Sequence, residues 1–300
     1  MVVLQHSQHF VSSIEDSLLN STCLISGTGW ESSLEHHSRK IAAQKGIYNI
    51  TLLDHWVNYN ERFERDGDIV LPNEIWVTDG EALEMARNNL FSSGIKENVY
   101  VTGNTIIDAL QMISKISKPF LIDGVNLKNK NLILATVHRR ENWGENLKNI
   151  AYGLRNIIEN DNSAILIIPL HKNPKVREPL KNILKGNKRI ILTEPLDYDE
   201  LISILKVCKF VITDSGGLQE ESPTFGKPVL VIRKSTERLE AVEAGCAKLI
   251  GVDQNNIFKE SIDLLNNREK YLEMSKIKNP FGQGDSSKKI FMQTLKFLDI

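Results

Sequence analysis

The sequence predicts an α/β protein built from parallel sheets covered by helices. From Asn131 onward, short runs of Val, Ile and Leu alternate with amphipathic stretches, the pattern expected of strand–helix units. These apolar runs are continuous, as in strands buried on both faces of a sheet. The 300 residues also provide enough chain for two domains, at roughly 100–200 residues each.

The first hundred residues predict a small version of this arrangement. The expected strands are 22–26, 49–54, 74–79 and 99–103. A Gly27–Gly29 turn precedes a predicted helix that ends at Gly46, and a second helix is expected over 80–90. We therefore predict a shortened α/β domain over 1–113.

Residues 114–130, with Pro119, Gly124 and several lysines, read as a connector. A doubly wound domain is expected over 131–285, with strands at 131–137, 164–169, 189–193, 210–213, 229–232 and 247–251. Ser286 then starts an amphipathic pattern to Leu298, since serine favours a helix start. This last segment, 286–300, either closes the surface of the second domain or crosses back to the first.

Composition excludes several functional classes. Lys+Arg 37 against Asp+Glu 38 leaves a net charge of −1, which gives no electrostatic reason to expect nucleic acid or a membrane as partner. No apolar run reaches the roughly 18 residues of a membrane span, and the first ten residues lack signal-peptide features. The cysteines Cys23, Cys208 and Cys246 form no CxxC or Cys/His cluster, so we expect a reducing, cytoplasmic location and no metal site.

Charged and polar residues gather at the predicted strand ends of the second domain. His138 to Asn142 follow the first strand, His171 the second and Asp214 to Gly217 the fourth, while Arg233 to Arg238 follow the fifth. Ligands bind at the carboxyl ends of parallel strands. Cations, histidines and paired glycines on one edge suit a phosphate ester.

The Ser215-Gly216-Gly217 element has a physical use at such an edge. Glycines let backbone N–H groups approach an anion closely, although many strand–helix turns carry glycine for packing alone. Glu220 and Glu221, one turn further on, are candidates to accept from ribose hydroxyls.

Two histidines accompany this element. His138 is either a phosphate donor or a proton carrier, or a histidine bonded to backbone, and His171 also reads as a plain loop residue. Neither the G-x-G-x-x-G fingerprint nor the P-loop pattern occurs. The sequence therefore favours an NAD-type or ATP-type site less than another phosphate-ester site.

These stretches resemble the C-terminal two thirds of the non-hydrolysing UDP-N-acetylglucosamine 2-epimerases. The similar segments, in family order, are 101–110, 133–147, 169–179, 196–201, 212–245 and 279–287. The resemblance implies two Rossmann-like domains of the glycosyltransferase-B type, the first one shortened here. It also implies no cofactor.

The resemblance assigns roles to individual residues. It makes Ser215, Gly216 and Gly217 the diphosphate cradle and Glu221 the ribose ligand. It matches His138 to the active-site histidine and places Arg139 and Arg238 near the diphosphate and uridine. His171 matches a residue of a loop that binds an activating second UDP-GlcNAc.

The first hundred residues depart from the family. The GTRPE-like loop and the carboxylate motifs of the family's first domain have no clear match; the corresponding places read SGTG (26–29), LLDHW (52–56) and LPNE (71–74). Asp54, at a predicted strand end beside His55, is the best-placed acid/base candidate, and a turn cap is its alternative role. Glu31, Glu35, Glu61, Glu64 and Glu74 are the other acidic candidates.

The resemblance implies epimerisation of UDP-GlcNAc to UDP-ManNAc by elimination and re-addition of UDP. Two alternatives stay open: another glycosyltransferase-B enzyme that uses a different first domain for an acceptor, and an impaired UDP-sugar-binding protein. Expected partners are UDP-GlcNAc and UDP, with no nucleic acid and no membrane insertion; a homodimer is left open.

Overall fold

The computed structural model describes Ile14, Leu18 and residues 21–29, 33–53, 62–78, 80, 83–84, 99–119 and 130–297. The chain divides into two compact units. The first unit comprises Met1–Thr105 with Gly284–Ile300, and the second unit comprises Ile106–Gln283. Among the described residues, no helix has the length and apolarity needed to span a membrane.

The first unit contains a parallel sheet. Its elements, in chain order, are β1 (Cys23–Ser26), α1 (Leu34–Gln44), β2 (Tyr48–Leu53), β3 (Glu64–Arg65), β4 (Asp68–Ile69), β5 (Glu74–Val77) and β6 (Val99–Val101). The sheet has the order β1-β2-β5-β6 with all pairings parallel. The predicted strands at 22–26, 49–54, 74–79 and 99–103 each match one of these four. The predicted helix at 80–90 falls largely outside the described residues.

A small antiparallel hairpin, β3–β4, is the element that the sequence analysis missed in this unit. Its two turn residues, Asp66 and Gly67, have φ of 52° and 80°. A type I′ hairpin turn needs positive φ at both positions, and Asp-Gly is a preferred pair for it. The signal was therefore present in the sequence.

The second unit contains the larger sheet. It begins with helix α2 (Thr105–Ile116), which the sequence analysis did not predict. This helix overlaps the start of the predicted connector at 114–130. Residues 120–129 of the connector lie outside the described part of the chain. The strands are β7 (Asn131–Thr136), β8 (Ala164–Pro169), β9 (Ile190–Thr193), β10 (Phe210–Thr213), β11 (Val229–Val231) and β12 (Ala247–Leu249). The helices that follow α2 are α3 (Glu145–Asn160), α4 (Pro174–Leu184), α5 (Tyr198–Val207), α6 (Gly216–Glu221), α7 (Leu239–Glu243), α8 (Gln254–Asn266) and α9 (Arg268–Ser275).

Helix α10 (Ser286–Phe297) matches the predicted C-terminal helix and clusters with the first unit. Gly103, just after β6, lies directly against its start. A Cβ on Gly103 would lie 2.5 Å from the Ser286 hydroxyl oxygen, and its φ of +89° also favours glycine.

Strands of the second unit are buried on both faces, as their continuous apolar runs predict. Leu132 and Leu134 of β7 pack into a cluster with residues of α5. Ile133 and Ala135, which point to the opposite face, pack into the larger cluster with α3 and α8. Helices therefore cover both faces of this sheet.

The strand order of the second unit indicates where a ligand is expected. The sheet runs β12-β11-β10-β7-β8-β9, with all strands parallel. The chain direction across the sheet reverses between β7 and β10, and such a reversal opens a crevice at the carboxyl ends of the two strands. His138 follows β7 and Ser215 follows β10, so both lie at this crevice.

Candidate functional site

The crevice is organised around Asp214, the residue directly after β10. Asp214 is fully buried. Its carboxylate accepts the backbone N–H of His138 at 3.0 and 3.1 Å and that of Arg139 at 2.9 Å. It also accepts the side-chain amide of Asn142 at 2.9 Å. One carboxylate therefore holds the loop after β7 against the end of β10.

The predicted Ser-Gly-Gly cradle lies beside two guanidinium groups. A Cβ on Gly216 would lie 3.3 Å from Nη2 of Arg238 and 3.7 Å from Nη2 of Arg139. The Ser215 N–H donates to the Thr213 hydroxyl at 2.9 Å, which fixes the turn into α6. The structure thus brings together the predicted residues Arg139, Ser215, Gly216, Gly217 and Arg238. Two guanidiniums against a glycine backbone suit a phosphate group.

Carboxylates of neighbouring segments hold these arginines in place. Glu220 accepts from Nε of Arg238 at 2.5 Å. This carboxylate, a predicted acceptor for ribose hydroxyls, therefore binds an arginine in the structure. Arg233, only 5% exposed, donates to Glu141 at 2.8 Å and to Glu237. These ion pairs orient guanidinium groups at the crevice before any ligand arrives.

Glu237 also lies close to Arg139, with 3.9 Å between Oε1 and Nη1. Partial burial raises its pKa, but hydrogen bonds from Arg233 and the backbone outweigh that and lower the pKa of Glu237 to about 2. Glu237 is therefore ionised at neutral pH and supplies fixed negative charge beside Arg233 and Arg139.

Glu221, the predicted ribose ligand, has a different environment. It is buried and accepts from the Tyr198 hydroxyl at 3.2 Å. Burial, assisted by Glu220, raises the pKa of Glu221 to about 7 despite the hydrogen bond from Tyr198. The second carboxyl oxygen of Glu221 has the chemistry to accept a hydrogen bond from a hydroxyl group. The ribose contact stays a prediction.

An apolar cavity of about 350 Å³ opens next to the crevice. Its walls include Pro169, Leu170, Pro195, Leu196 and Leu201, with His138 and His171 at one side. Tyr198, the partner of Glu221, belongs to the same 195–201 segment. The cavity has room for a flat ring.

The two histidines of this cavity stack, with ring centroids 6.3 Å apart and an angle of 29°. His138 Nε2 lies 3.6 Å from Oδ1 of Asp214. Burial lowers the pKa of His138, and Arg139, His171 and Arg233 add to the lowering against the opposing charge of Asp214. A neutral imidazole at neutral pH can accept or donate a proton at a ligand.

The acidic candidates of the first unit fall into three groups, one of which is Glu64 alone, an exposed residue of β3. Asp54, Glu31 and Glu61 lie outside the described residues. Glu35 accepts from the Gly29 N–H and lies against Gly27, so its carboxylate fills the turn after β1. Glu74 is buried and accepts from the Tyr48 hydroxyl at 3.1 Å and the Trp76 indole at 2.9 Å. Both contacts are structural.

Sequence reasoning named the strand-end residues but missed how they hold one another. The residues without an assigned role there were Asp214, Asn142, Glu141, Arg233 and Glu237. All five lie in the segments that follow β7, β10 and β11, so their position after these strands was the sequence signal that could have found them.

In the described part of the chain, no group of three or more His, Cys, Asp or Glu side chains is placed to hold a metal ion.

Comparison with known proteins gives a consistent assignment. The family model described as "UDP-N-acetylglucosamine 2-epimerase" matches residues 81–295. A UDP-N-acetylglucosamine 2-epimerase of Campylobacter jejuni is 40% identical over 229 residues, covering 71% of this chain and 59% of the relative. One from Neisseria meningitidis serogroup A is 41% identical over 225 residues, with the same two coverages. The chain thus spans about 59% of the length of these curated relatives.

A solved structure matches nearly the whole chain. The UDP-GlcNAc 2-epimerase from Neisseria meningitidis bound to UDP-GlcNAc has a TM-score of 0.74 and 32% identity, covering 95% of this chain and 80% of that one. This likeness confirms the predicted fold class of two Rossmann-like α/β units of the glycosyltransferase-B type.

Proposed function

This chain belongs to the UDP-N-acetylglucosamine 2-epimerase family, and on that premise we propose that it interconverts UDP-GlcNAc and UDP-ManNAc. The observation that carries the proposal is the pair of guanidiniums, Arg139 and Arg238, that meet at Gly216 in the β7/β10 crevice. In the proposal, this pair holds the diphosphate leaving group.

In the proposed complex, UDP occupies the second unit in three connected places. The diphosphate lies at the Ser215–Gly217 turn, between the guanidiniums of Arg139 and Arg238. The ribose hydroxyls donate to Glu221, and the base enters the cavity bounded by Pro169 and Leu201. The cavity suits a ring because its walls are mainly apolar. Tyr198, which donates to Glu221, lies in sequence between the cavity residues Leu196 and Leu201.

The proposed reaction is an elimination followed by re-addition. A base removes the proton from C2 of the sugar, and the C2–H electron pair forms a C1=C2 double bond. The C1–O bond breaks and its electron pair leaves with UDP, giving a glycal. UDP then adds back to C1 while C2 is protonated from the other face, so no redox cofactor is required.

The charges of the second unit favour the bond-breaking step. Negative charge grows on the departing diphosphate, and fixed cations aimed at developing charge lower the barrier. Arg139 and Arg238 are held beforehand by Glu237 and Glu220. They therefore need little rearrangement as the bond breaks.

The groups that move the C2 proton stay predictions. Asp54 is the candidate base from the sequence. His138 is the candidate acid/base of the second unit, since burial keeps its imidazole neutral at neutral pH. His171 is the candidate contact for an activating second UDP-GlcNAc. We also propose UDP-GlcNAc and UDP as the partners and the cytoplasm as the location, and leave a homodimer open.

Proton NMR of the protein incubated with UDP-GlcNAc in deuterated water tests this function. Epimerisation predicts UDP-ManNAc signals with deuterium at C2 of both sugars. Glycal with free UDP indicates that elimination proceeds without re-addition. An unchanged spectrum at high protein concentration, with UDP bound in calorimetry, contradicts the epimerase and favours sugar transfer to an acceptor or binding without turnover.

A further inference from the structure

Asp214 is a buried carboxylate that none of the proposed UDP contacts uses. It lies at the strand-order reversal, and its acceptors are taken by the chain itself: two backbone N–H groups and one side-chain amide. The same residue's backbone carbonyl accepts from Nε of Arg139 at 3.3 Å. Both a proposed acid/base and a proposed phosphate ligand are therefore attached to it.

We propose that Asp214 is a positioning residue that fixes the His138 imidazole and the Arg139 guanidinium relative to one another, so that both reach the same nucleotide-sugar. The proposal rests on the proposed function for the identity of that ligand. The placement of the two side chains by Asp214 is independent of it.

The contacts of Asp214 extend beyond the β7 loop. Asn142, which donates to its carboxylate, also donates to the Ile232 carbonyl at 3.3 Å. Ile232 directly follows β11 and precedes Arg233. Asp214 thus joins the loops after β7, β10 and β11, which carry Arg139, the glycine cradle and Arg238.

The contacts require a carboxylate at this position. Every side-chain contact described for Asp214 comes from an N–H donor, and a carboxylate offers acceptors on both oxygens. An asparagine side chain, which has the same shape, would turn its NH₂ group toward those N–H donors, and an NH₂ group cannot accept a hydrogen bond from them. A buried charge is costly unless it is hydrogen-bonded in this way, so the network and the charge depend on each other.

Asp214 also sets the charge around His138. Four charged or titratable groups act electrostatically on the imidazole: Asp214 directly after β10, Arg139 from its own loop, His171 from the end of β8 and Arg233 from the end of β11. Asp214 is the anion of this set, and its Oδ1 lies 3.6 Å from Nε2. It favours the tautomer with the proton on Nε2, which leaves the lone pair on Nδ1.

The isosteric variant Asp214→Asn tests the proposal, with the histidine titration followed by NMR in the absence of ligand. The His138 resonance is assigned by its loss in His138→Gln. We expect its titration midpoint to fall by about one pH unit in Asp214→Asn, because an opposite charge at this distance shifts a pKa by about 1–3 units. UDP affinity should fall by about tenfold or more. The control Glu159→Gln, an exposed carboxylate paired with Arg155, should leave both values unchanged.

A second variant, Asn142→Leu, keeps the carboxylate and removes one of its donors. The charge of Asp214 is then less neutralised, so the His138 midpoint should rise while UDP binding weakens. Opposite shifts in the two variants distinguish positioning from a general loss of structure, and Asn142→Leu decides the question if Asp214→Asn fails to fold. An unmoved His138 midpoint with wild-type UDP affinity overturns the proposal. Because the titration needs no ligand, it still reports on Asp214 if the protein proves to be no epimerase.

Discussion

The two units place a glycine turn at the carboxyl edge of a parallel sheet and treat it in opposite ways. In the first unit, the Gly27–Gly29 turn is closed by Glu35, whose carboxylate accepts from the Gly29 N–H. In the second unit, Gly216 faces the guanidiniums of Arg139 and Arg238. Similar local sequences therefore yield a turn filled by the chain's own anion and a turn that we propose binds an external one.

Strand order explains much of this difference. The described strands of the first sheet follow the order β1-β2-β5-β6, without a reversal among them. The second sheet reverses between β7 and β10, and the reversal opens a crevice at strand ends. Asp214 then ties the loops on the two sides of that crevice. The proposed diphosphate site thus depends on topology as much as on the glycines.

Filling the glycine turn of the second unit should have the largest effect. A Cβ added at Gly216 would lie 3.3–3.4 Å from the Arg238 guanidinium. Gly216→Val also adds methyl groups where we propose that phosphate oxygens bind. We expect UDP affinity to fall by at least about 100-fold, or about 2.7 kcal/mol, with the circular dichroism spectrum retained. Calorimetry checks this, and UDP binding within threefold of wild type would place the diphosphate elsewhere.

Removing one arginine should cost less than filling the turn. Arg139→Gln and Arg238→Gln each delete charge-assisted hydrogen bonds worth about 1.5–3 kcal/mol. We expect about 10- to 100-fold weaker UDP binding and a weaker dependence on salt. Lys148→Gln, which removes an exposed cation that pairs with Glu145, is the matched control and should bind UDP normally. Equal affinities for the arginine variants and the control would contradict the site.

Carboxylates that hold each turn provide a direct contrast between the units. Glu220→Ala releases Arg238 in the second unit and should weaken UDP binding several-fold. Glu35→Ala removes the acceptor of the Gly29 N–H in the first unit. It should leave UDP affinity within about twofold of wild type. It should also lower the free energy of unfolding by about 1 kcal/mol. Calorimetry and denaturant unfolding separate the two effects. A larger loss of UDP affinity in Glu35→Ala than in Glu220→Ala would reverse the assignment.

The buried Glu221 should make stability depend on pH. Burial raises its pKa to about 7, above an unfolded value of about 4.3. The folded state therefore holds its proton more tightly, and the resulting penalty is absent below about pH 4, grows between about pH 4 and 7, and is complete above that.

Glu221→Gln removes this penalty and should be more stable than wild type at pH 8, by about 2 kcal/mol, with the difference disappearing toward pH 4. Urea unfolding at several pH values measures it, with Glu159→Gln as the exposed control. A pH-independent difference would show that the carboxyl of Glu221 titrates normally.

The sequence was sufficient for the strands of the two parallel sheets, although it missed α2 and the β3–β4 hairpin, and it indicated the sheet edge where we propose the site. The runs 164–169 and 210–213 match β8 and β10 in full, because buried parallel strands need continuous apolar residues. The pairings within the site were not accessible in the same way. Asp214 bonds to His138 across 76 positions of sequence and Arg233 to Glu141 across 92. Such contacts depend on which strands are neighbours, and alternating strands and helices do not specify that order.

A crystal structure of the protein with UDP tests the central claim most directly. The claim predicts diphosphate oxygens within hydrogen-bonding distance of the Ser215–Gly217 backbone and of the Arg139 and Arg238 guanidiniums, with the base in the cavity beside His138. UDP bound at the Gly27–Gly29 turn, with Glu35 displaced and the β7/β10 crevice empty, would contradict it.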